Sequence, residues 1–385
     1  MRTNLGRRPL IWRPFGRALW VAAAVALLVA APTWGASASG PWREAVAPRT
    51  WTFPGDHGAH PAYRTEWWYF TGNLTDDSGN RYGYELTFFR EGIRPGPVAD
   101  RADPWALRDL YLAHFTVTDV AGRRFFFDER ASRTGPGLAG AAAGRLDVQI
   151  LGWSARMKGD AILLRARKDG TELALELKAK KPPVLHGEGG LSRKGPLRGQ
   201  ASHYVSSTEL ATAGSLKTAG SGRWRRVAGV SWFDHEFGSN QLSADQAGWD
   251  WFGLHLSDGR DLMLYFLRRK DGTIEPASSG TVVDRTGRGR HVVQSMMGLR
   301  VLGYWKSQKT GAVYPSQWRI TVPAEGLDLV VSPLLADQEL VTPGSTGVTY
   351  WEGAVEGRGL SEGREATCLG YVELTGYAGQ LGGLF

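Results

Sequence analysis

The chain has 385 residues, 42% of them hydrophobic and 22% charged, a composition typical of a globular protein with room for two domains. The formal net charge of +8 depends on five arginines within residues 1–38. The rest of the chain has 41 basic and 38 acidic residues. The remaining chain therefore has no bulk positive charge for binding nucleic acid.

Residues 1–38 have the pattern of a secretory signal peptide. After the arginines comes an uncharged, largely apolar run from Ala18 to Ala31, and Ala36-Ser37-Ala38 is typical of a cleavage site. The apolar run is short for a membrane span, although an uncleaved membrane anchor is the alternative. Arg7-Arg8 resembles a twin-arginine signal, but two further arginines before the apolar run favour the Sec route. We expect a periplasmic or secreted protein.

Beyond the signal the hydrophobic pattern has a period of two. Tyr111, Ala113, Phe115 and Val117 share one face of their segment, and leucines alternate with other residues over 173–177. This alternation predicts antiparallel strands that are covered on one face. Turn signals at short intervals favour an all-β sandwich or barrel.

Four segments recur along the chain in the same order. In this repeat 66–70 resembles 249–252, 173–177 resembles 327–331, 204–209 resembles 350–355, and 229–233 resembles 370–374. Such a pattern indicates a tandem duplication. Each copy is close in size to an up-and-down barrel that encloses one small ligand. We predict two all-β domains, over residues 39–240 and 241–385.

Several sequence blocks resemble those of one known family. These blocks are HPAYRTEWWYFTGNL at 60–74, WFDHEFG at 232–238, GWDWF at 248–252, YWEG at 350–353 and GYVELTGY at 370–377. They are similar to the AttH / carotenoid 1,2-hydratase family, and the similarity spans roughly residues 48–380. The resemblance implies two tandem lipocalin-like (calycin) antiparallel β-barrels. It implies activity less directly, because the family also resembles secreted hydrolases and fungal pericyclases, and a shared fold does not determine chemistry.

The candidate catalytic group is Asp234-His235-Glu236. On a strand, Asp234 and Glu236 share a face with Trp232, while His235 points the other way. A carboxyl group among tryptophans has a raised pKa and retains a proton. It can protonate an alkene, after which an aromatic face stabilises the carbocation and water adds. We predict Asp234 as the acid; the alternative is a structural junction in which both carboxylates make hydrogen bonds or a salt bridge.

Other residues of these blocks are predicted to bind an apolar ligand through wide aromatic faces and a few polar groups. They are Glu66, Trp67, Trp68, His203, Tyr204, Trp232, Trp249, Trp251, Trp351, Glu352 and Glu373. Structural alternatives exist for several of them. Glu66 would pair with Arg64 or Arg90, Glu352 and Glu373 would close a barrel, and His203 would be a satisfied structural histidine.

Neither a cofactor nor a metal site is predicted. His57 and His60 have no cysteine or acidic cluster beside them beyond Asp56, and His235-Glu236 lacks the second histidine of a zincin motif. The single cysteine, Cys368, lies in a strand-like segment and is predicted to be a buried, inert thiol.

Three functions remain open from the sequence. They are a hydratase acting on an apolar alkene, a non-catalytic carrier of a hydrophobic molecule, and a secreted hydrolase. The last has little support, because Gly229-Val230-Ser231-Trp232-Phe233 ends in phenylalanine and so does not match the Gly-x-Ser-x-Gly nucleophile elbow. The expected partner is a small hydrophobic molecule; transient membrane contact and the oligomeric state stay open.

Overall fold

The computed structural model describes residues 42–95, 107–240 and 242–379, so the predicted signal peptide lies outside the described residues. These described residues belong to one compact unit. Three short 3-10 helices are described, Gly55–His57, Gln294–Met296 and Pro323–Glu325. Within the described ranges, no helix is long and apolar enough to cross a membrane.

The first sheet contains thirteen antiparallel strands. They are β1 (Thr65–Asp76), β2 (Arg81–Gly92), β3 (Asp109–Asp119), β4 (Arg124–Arg133), β5 (Ala139–Ala141), β6 (Asp147–Ile150), β7 (Trp153–Lys158), β8 (Ala161–Lys168), β9 (Thr171–Ala179), β10 (Val184–Leu185), β11 (Leu191–Arg193), β12 (Ala201–Lys217) and β13 (Trp224–Asn240). Their order is β4-β3-β2-β1-β13-β12-β9-β8-β7-β6-β5, with β10 and β11 paired to β12.

The second sheet contains ten strands. They are β14 (Gln246–Leu256), β15 (Asp261–Arg269), β16 (Ser279–Val283), β17 (Gly289–Val293), β18 (Gly298–Lys306), β19 (Val313–Val322), β20 (Leu327–Pro333), β21 (Glu339–Val341), β22 (Thr349–Ser361) and β23 (Arg364–Leu374). Their order is β17-β16-β15-β14-β23-β22-β20-β19-β18, with β21 paired to β22.

The repeated sequence segments occupy equivalent strands of the two sheets. The run β2-β1-β13-β12-β9 of the first sheet corresponds to β15-β14-β23-β22-β20 of the second. The four repeated segments lie on β1 and β14, β9 and β20, β12 and β22, and β13 and β23. Both first hairpins turn on a glycine with positive φ, 81° at Gly79 and 83° at Gly259, a conformation that glycine adopts without steric cost. The predicted fold class is confirmed: each antiparallel sheet is curled into a barrel or half-barrel.

Alternation along the strands separates the three largest apolar clusters of the described residues. Trp68 and Phe70 of β1 belong to the core of the first sheet, and Trp351 belongs to the core of the second, where Cys368 is also buried. Tyr69, between Trp68 and Phe70, points the other way and joins a third cluster with residues of the second sheet. The two sheets therefore meet through side chains that face away from both cores.

Candidate functional site

A cavity of about 220 Å³ lies between the two sheets. Its aromatic lining includes Trp67, Tyr69, Trp249, Trp251, Tyr265 and Tyr350. Arg64 and Asn240 also line it and are exposed, so the cavity opens to solvent at that end. The sheets thus contribute opposite walls of one apolar space.

Six carboxyl residues line this cavity: Glu85, Glu91, Asp234, Glu236, Glu352 and Glu373. All are buried except Glu373, which keeps part of its surface accessible, and Glu91 is paired with Arg64 at 2.6 Å. Lys194 donates to Glu236 at 3.0 Å from Nζ to Oε1, and the Ser202 hydroxyl donates to the same oxygen. So many acidic groups in one apolar space can be accommodated only if several of them carry protons.

Asp234 lies on β13 opposite Tyr69 of β1. Its Oδ1 accepts hydrogen bonds from the Ser206 hydroxyl and from Nε1 of Trp232 at 2.5 Å, and its Oδ2 accepts one from the Tyr204 hydroxyl at 2.5 Å. Burial raises the pKa of Asp234 to about 7, although these three hydrogen bonds lower it. Asp234 has no ion-pair partner among the described residues. Near neutral pH it therefore exists in both protonated and ionised forms.

The donors to Asp234 are held in place by both sheets. Trp251 Nε1 donates to the Tyr204 hydroxyl at 3.0 Å, so the proton of that hydroxyl is free to point at Asp234. Ser206 Oγ lies 2.6 Å from Nε2 of His186, whose Nδ1 lies 2.8 Å from Oγ1 of Thr281. Burial lowers the pKa of His186 to about 3, so the imidazole is neutral. Because Ser206 donates to Asp234 and does not line the cavity, this Ser–His contact does not form a nucleophile.

Glu85 and Glu352 form a second acidic group. The Tyr69 hydroxyl donates to Oε1 of Glu352, and the Thr87 hydroxyl donates to Oε1 of Glu85 at 2.9 Å. The Oε2 atom of each glutamate is buried without a partner among the described residues. Burial raises the pKa of Glu85 to about 8, and burial together with the nearby Glu85 charge raises that of Glu352 well above its usual range. Both are protonated at neutral pH and can donate a hydrogen bond.

Glu373 completes the acidic lining from the second sheet. Burial raises the pKa of Glu373 to about 7, and the charges of Asp234 and Glu236 also raise it. A hydrogen bond with Trp249 acts in the opposite direction and lowers it. The register places Glu373 beside Glu352 on β22 and beside Trp251 on β14.

Most of the predicted site residues meet at this cavity. Asp234 and Glu236 line it, as do six of the predicted ligand-binding residues: Trp67, Tyr204, Trp249, Trp251, Glu352 and Glu373. Trp232 lies beside Asp234 and donates to it. The alternative was that Glu352 and Glu373 close a barrel through ion pairs. Neither glutamate has an ion-pair partner among the described residues.

Three predicted residues lie on the other face of the same strands. Side chains alternate along β1 and β13, so Glu66, Trp68 and His235 point into the first barrel. Glu66 is paired with Arg90 at 3.0 Å, one of the two arginines expected as its structural partner, and with Nε2 of His235 at 2.9 Å. Contrary to prediction, Glu66, Trp68 and His235 are therefore absent from the cavity lining.

Two further predicted residues are also placed elsewhere. Trp351 packs in the second core, with its ring 6.4 Å from that of Trp318. His203 lies 5.3 Å from the Phe237 ring, because its position on β12 directs it away from the neighbouring cavity residue Tyr204. Trp351 and His203 were predicted to contact the ligand, but strand alternation directs both side chains away from the cavity.

Sequence reasoning missed Glu85, Tyr69, Lys194 and Tyr350. Glu85 had a usable signal, because it alternates with the buried Tyr84 and with Leu86 on a strand whose other residues are mostly apolar or aromatic. A charged residue on the second face of such a strand indicates that this face also contacts protein. Lys194 follows a short strand and had no comparable signal.

Comparisons with known proteins agree with this architecture. The AttH-like family model matches residues 44–377. The crystal structure of a protein designated AttH from Nitrosomonas europaea is 33% identical, with a TM-score of 0.76 over 86% of this chain and 99% of that one. Kievitone hydratase from Nectria haematococca shares the fold at 15% identity, with a TM-score of 0.65 over 89% of this chain and 97% of that one.

A comparison with curated proteins returns no match. The family match nevertheless extends over both sheets and every cavity-lining strand. The sequence blocks, the two curled sheets and this match together show that the chain belongs to the AttH-like family.

Proposed function

We propose that this protein binds an apolar molecule containing a carbon–carbon double bond between its two barrels and adds water to that bond by acid catalysis. The observation that carries this proposal is Asp234, a buried carboxyl group that has no ion-pair partner among the described residues and whose pKa is raised by burial to about 7 beside a tryptophan-lined cavity. A general acid is most effective when its pKa lies near the working pH.

Each step of the reaction has a group to perform it. Three hydrogen bonds occupy three of roughly four acceptor positions of the Asp234 carboxylate, which leaves one position on Oδ2 for the proton. That proton forms a C–H bond with one alkene carbon as the π bond breaks, and the other carbon becomes cationic. Trp67 and Trp251 offer aromatic faces to this cation.

Water then completes the addition. Its oxygen forms a C–O bond with the cationic carbon, and one of its protons returns to the Asp234 carboxylate. The hydroxyl of Tyr204 and the indole of Trp232 stabilise that carboxylate while it is charged. One water is consumed and the acid is restored, so no other reactant is required.

The cavity limits the substrate. Its volume of about 220 Å³ is below the roughly 300–1,000 Å³ typical of pockets that enclose a drug-sized ligand. A small alkene, or the end of a longer isoprenoid or lipid chain, suits it. Kievitone hydratase, which shares the fold, is by name a hydratase, and this is consistent with the proposal.

The test is turnover in oxygen-18-labelled water. Purified protein is incubated with an acyclic carotenoid and, separately, with a short prenylated phenol, and products are examined by mass spectrometry for the labelled hydroxyl. Asp234→Asn keeps the shape but removes the proton, so hydration is expected to fall by about 10²–10⁴-fold. Asp169→Asn, at a side chain that is 77% exposed, is the control and should retain activity. Full hydration by Asp234→Asn would contradict the mechanism.

Non-catalytic carriage of a hydrophobic ligand is the second candidate. It is favoured by Glu85 and Glu352, whose protonated carboxyl groups have unpartnered oxygens that can bind a ligand hydroxyl or carbonyl without reaction. Native mass spectrometry of protein isolated from its own host distinguishes the two. An alkene that co-purifies and stays unchanged in labelled water supports carriage and counts against hydration.

We also propose that residues 1–38 direct export to the periplasm or beyond and that 39–240 and 241–385 are the two lipocalin-like domains. The basic start, the apolar run and the small residues before Ser39 support the export signal. Amino-terminal sequencing of protein recovered from the periplasm should begin near Ser39. An intact Met1 would count against cleavage.

A further inference from the structure

A second polar cluster lies inside the first barrel, on the opposite face of β1 and β13 from the cavity. His60, Glu66 and His235 each present one potential ligand atom, and these three atoms lie within 4.8 Å of one another. Glu66 Oε1 is 2.9 Å from both Nδ1 of His60 and Nε2 of His235. Glu66 and His235 are fully buried, and the His60 side chain is 12% exposed. The proposed hydration uses none of these residues.

The hydrogen bond on the far side of His235 determines which of its nitrogens carries hydrogen. Nδ1 lies 3.0 Å from the backbone carbonyl oxygen of Asp56. A carbonyl oxygen can only accept, so Nδ1 is the donor, and a neutral ring then directs its Nε2 lone pair at Glu66. Nε2 then faces Oε1 of Glu66 across 2.9 Å, a contact that either a proton or a metal ion between the two atoms stabilises.

His60 has the same arrangement. Its Nε2 lies 3.3 Å from Oδ1 of Asp56, a carboxylate that is itself paired with Arg49 at 2.7 Å. Both ring nitrogens thus face carboxylate oxygens, and when Nε2 carries the hydrogen the Nδ1 lone pair is directed at Glu66. One residue, Asp56, orients both imidazoles through its backbone and its side chain.

Glu66 supplies the negative charge. Arg90, which is buried beside Glu66 and pairs with it at 3.0 Å, favours the ionised carboxylate. Arg90 Nε donates to Oε2 at 3.0 Å and leaves Oε1 directed at the histidines. Ligating carboxylates are commonly hydrogen-bonded in this way through the oxygen that faces away from the ion.

We propose that His60 Nδ1, Glu66 Oε1 and His235 Nε2 form a binding site for a divalent transition-metal ion of the zinc class. Two imidazoles and one carboxylate are a ligand set that zinc accepts. Zinc–ligand distances of roughly 2.0–2.2 Å place neighbouring ligand atoms slightly more than 3 Å apart, so the two contacts that Glu66 Oε1 makes at 2.9 Å need to open by only a few tenths of an ångström. Carbonyl and carboxylate partners on the second nitrogen of each histidine are typical of metal-bound imidazoles.

The position of this site assigns it a structural role. His60 and Asp56 belong to the segment that precedes β1, whereas Glu66 lies on β1 and His235 on β13. One ion would therefore fasten this segment to the two central strands of the first sheet. Because such an ion binds the folded chain and not the unfolded one, it raises stability.

The test begins with the wild-type protein stripped of metal with a chelator. Zn²⁺ is titrated by calorimetry, Co²⁺ by visible absorption, and the melting temperature is recorded with and without Zn²⁺. We expect one ion per chain and a higher melting temperature with Zn²⁺. Asp56→Asn should weaken Zn²⁺ binding by roughly 10–100-fold through loss of the carboxylate behind His60. His291→Asn, a surface histidine distant in sequence, is the matched control and should bind as the wild type does.

His60→Asn removes one ligand at the partly exposed side of the cluster and should abolish one-to-one binding. If that variant does not fold, Cu²⁺ bound to wild-type protein provides the readout, since two coordinated imidazoles give nitrogen couplings in its electron paramagnetic resonance spectrum. A wild-type protein that takes up neither Zn²⁺ nor Co²⁺, binding that persists in His60→Asn, or Cu²⁺ without nitrogen couplings would overturn the proposal. Asp234→Asn should keep full metal stoichiometry, so this test and that of hydration fail independently.

Discussion

Glu66 and Asp234 lie on adjacent strands and are equally hidden from water, yet their ionisation is opposite. Both are at most 3% exposed. Burial acts to raise the pKa of each; at Glu66 the Arg90 guanidinium and two histidines outweigh it, while at Asp234 three neutral donors do not. At equal burial, then, the presence of a buried cation determines whether a carboxyl group is charged. Strand alternation separates the charged Glu66 from Asp234, which is partly protonated near neutral pH, by the thickness of one sheet.

Replacement of Arg90, the cation that distinguishes Glu66 from Asp234, should have the largest effect on stability. Arg90 is 1% exposed and binds Glu66, Asp109 and the Tyr63 carbonyl oxygen. Arg90→Met leaves two carboxylates without their cation and should lower the free energy of unfolding by about 3–5 kcal/mol. Urea denaturation at pH 7 measures it. Glu66→Gln added to Arg90→Met should recover part of the loss; a single-variant loss below about 1 kcal/mol would show that Arg90 is not what keeps Glu66 charged.

The sequence predicted one side of this comparison better than the other. Period-two alternation placed Trp232, Asp234 and Glu236 on one face, and their hydrogen bonds and cavity position follow from that face. The metal-type cluster was not predicted, because Glu66 and His235 are 169 residues apart and meet only through the β1–β13 pairing. Local patterns report which face a residue occupies, whereas the partner across a sheet depends on topology.

Asp234 and Glu66 should also contribute with opposite signs to the pH dependence of stability, an effect smaller than that of replacing Arg90. Asp234 has an ordinary pKa of 3.8 when unfolded and about 7 when folded. The folded state therefore binds more protons between these values, and the stability that Asp234 contributes is lost as pH rises through about 7. Glu66 has the opposite sign, since its pKa is lowered, and its contribution is lost only in acid, below the ordinary value of 4.5.

Between pH 5 and pH 8, Asp234→Asn should thus lose less stability than the wild type, by on the order of 2 kcal/mol. Glu85 remains in both proteins and cancels in this difference, whereas Glu373 loses the Asp234 charge that helps to raise its pKa, which lessens the loss in the variant further. Urea unfolding at the two pH values supplies the four free energies. Parallel losses in the two proteins would mean that the carboxyl group of Asp234 is ionised at neutral pH.

A third prediction concerns the donors to Asp234 and rests on the proposed hydration. The acid must be protonated, so kcat/KM should fall as pH rises through about 7. The Ser206 hydrogen bond favours the charged form and lowers this pKa. Ser206→Ala should therefore move the alkaline limb up by about one pH unit. Ser78→Ala, in the exposed β1–β2 turn, should leave the limb in place, and a downward shift in Ser206→Ala would contradict Asp234 as the acid.

The smallest effect is expected where a cation lies at the surface. Arg81 of the first sheet pairs with Glu356 of the second at 3.0 Å, with side chains 39% and 52% exposed. Water and salt screen such a pair, so Arg81→Gln should change the free energy of unfolding by less than about 1 kcal/mol, and less still at high salt. Urea denaturation at two salt concentrations measures both. We expect apolar burial to hold the two sheets together, because Tyr69 of the first sheet packs on Trp251 of the second with their rings 5.3 Å apart. A loss of stability in Arg81→Gln comparable to that in Arg90→Met would mean instead that ion pairs hold the sheets together.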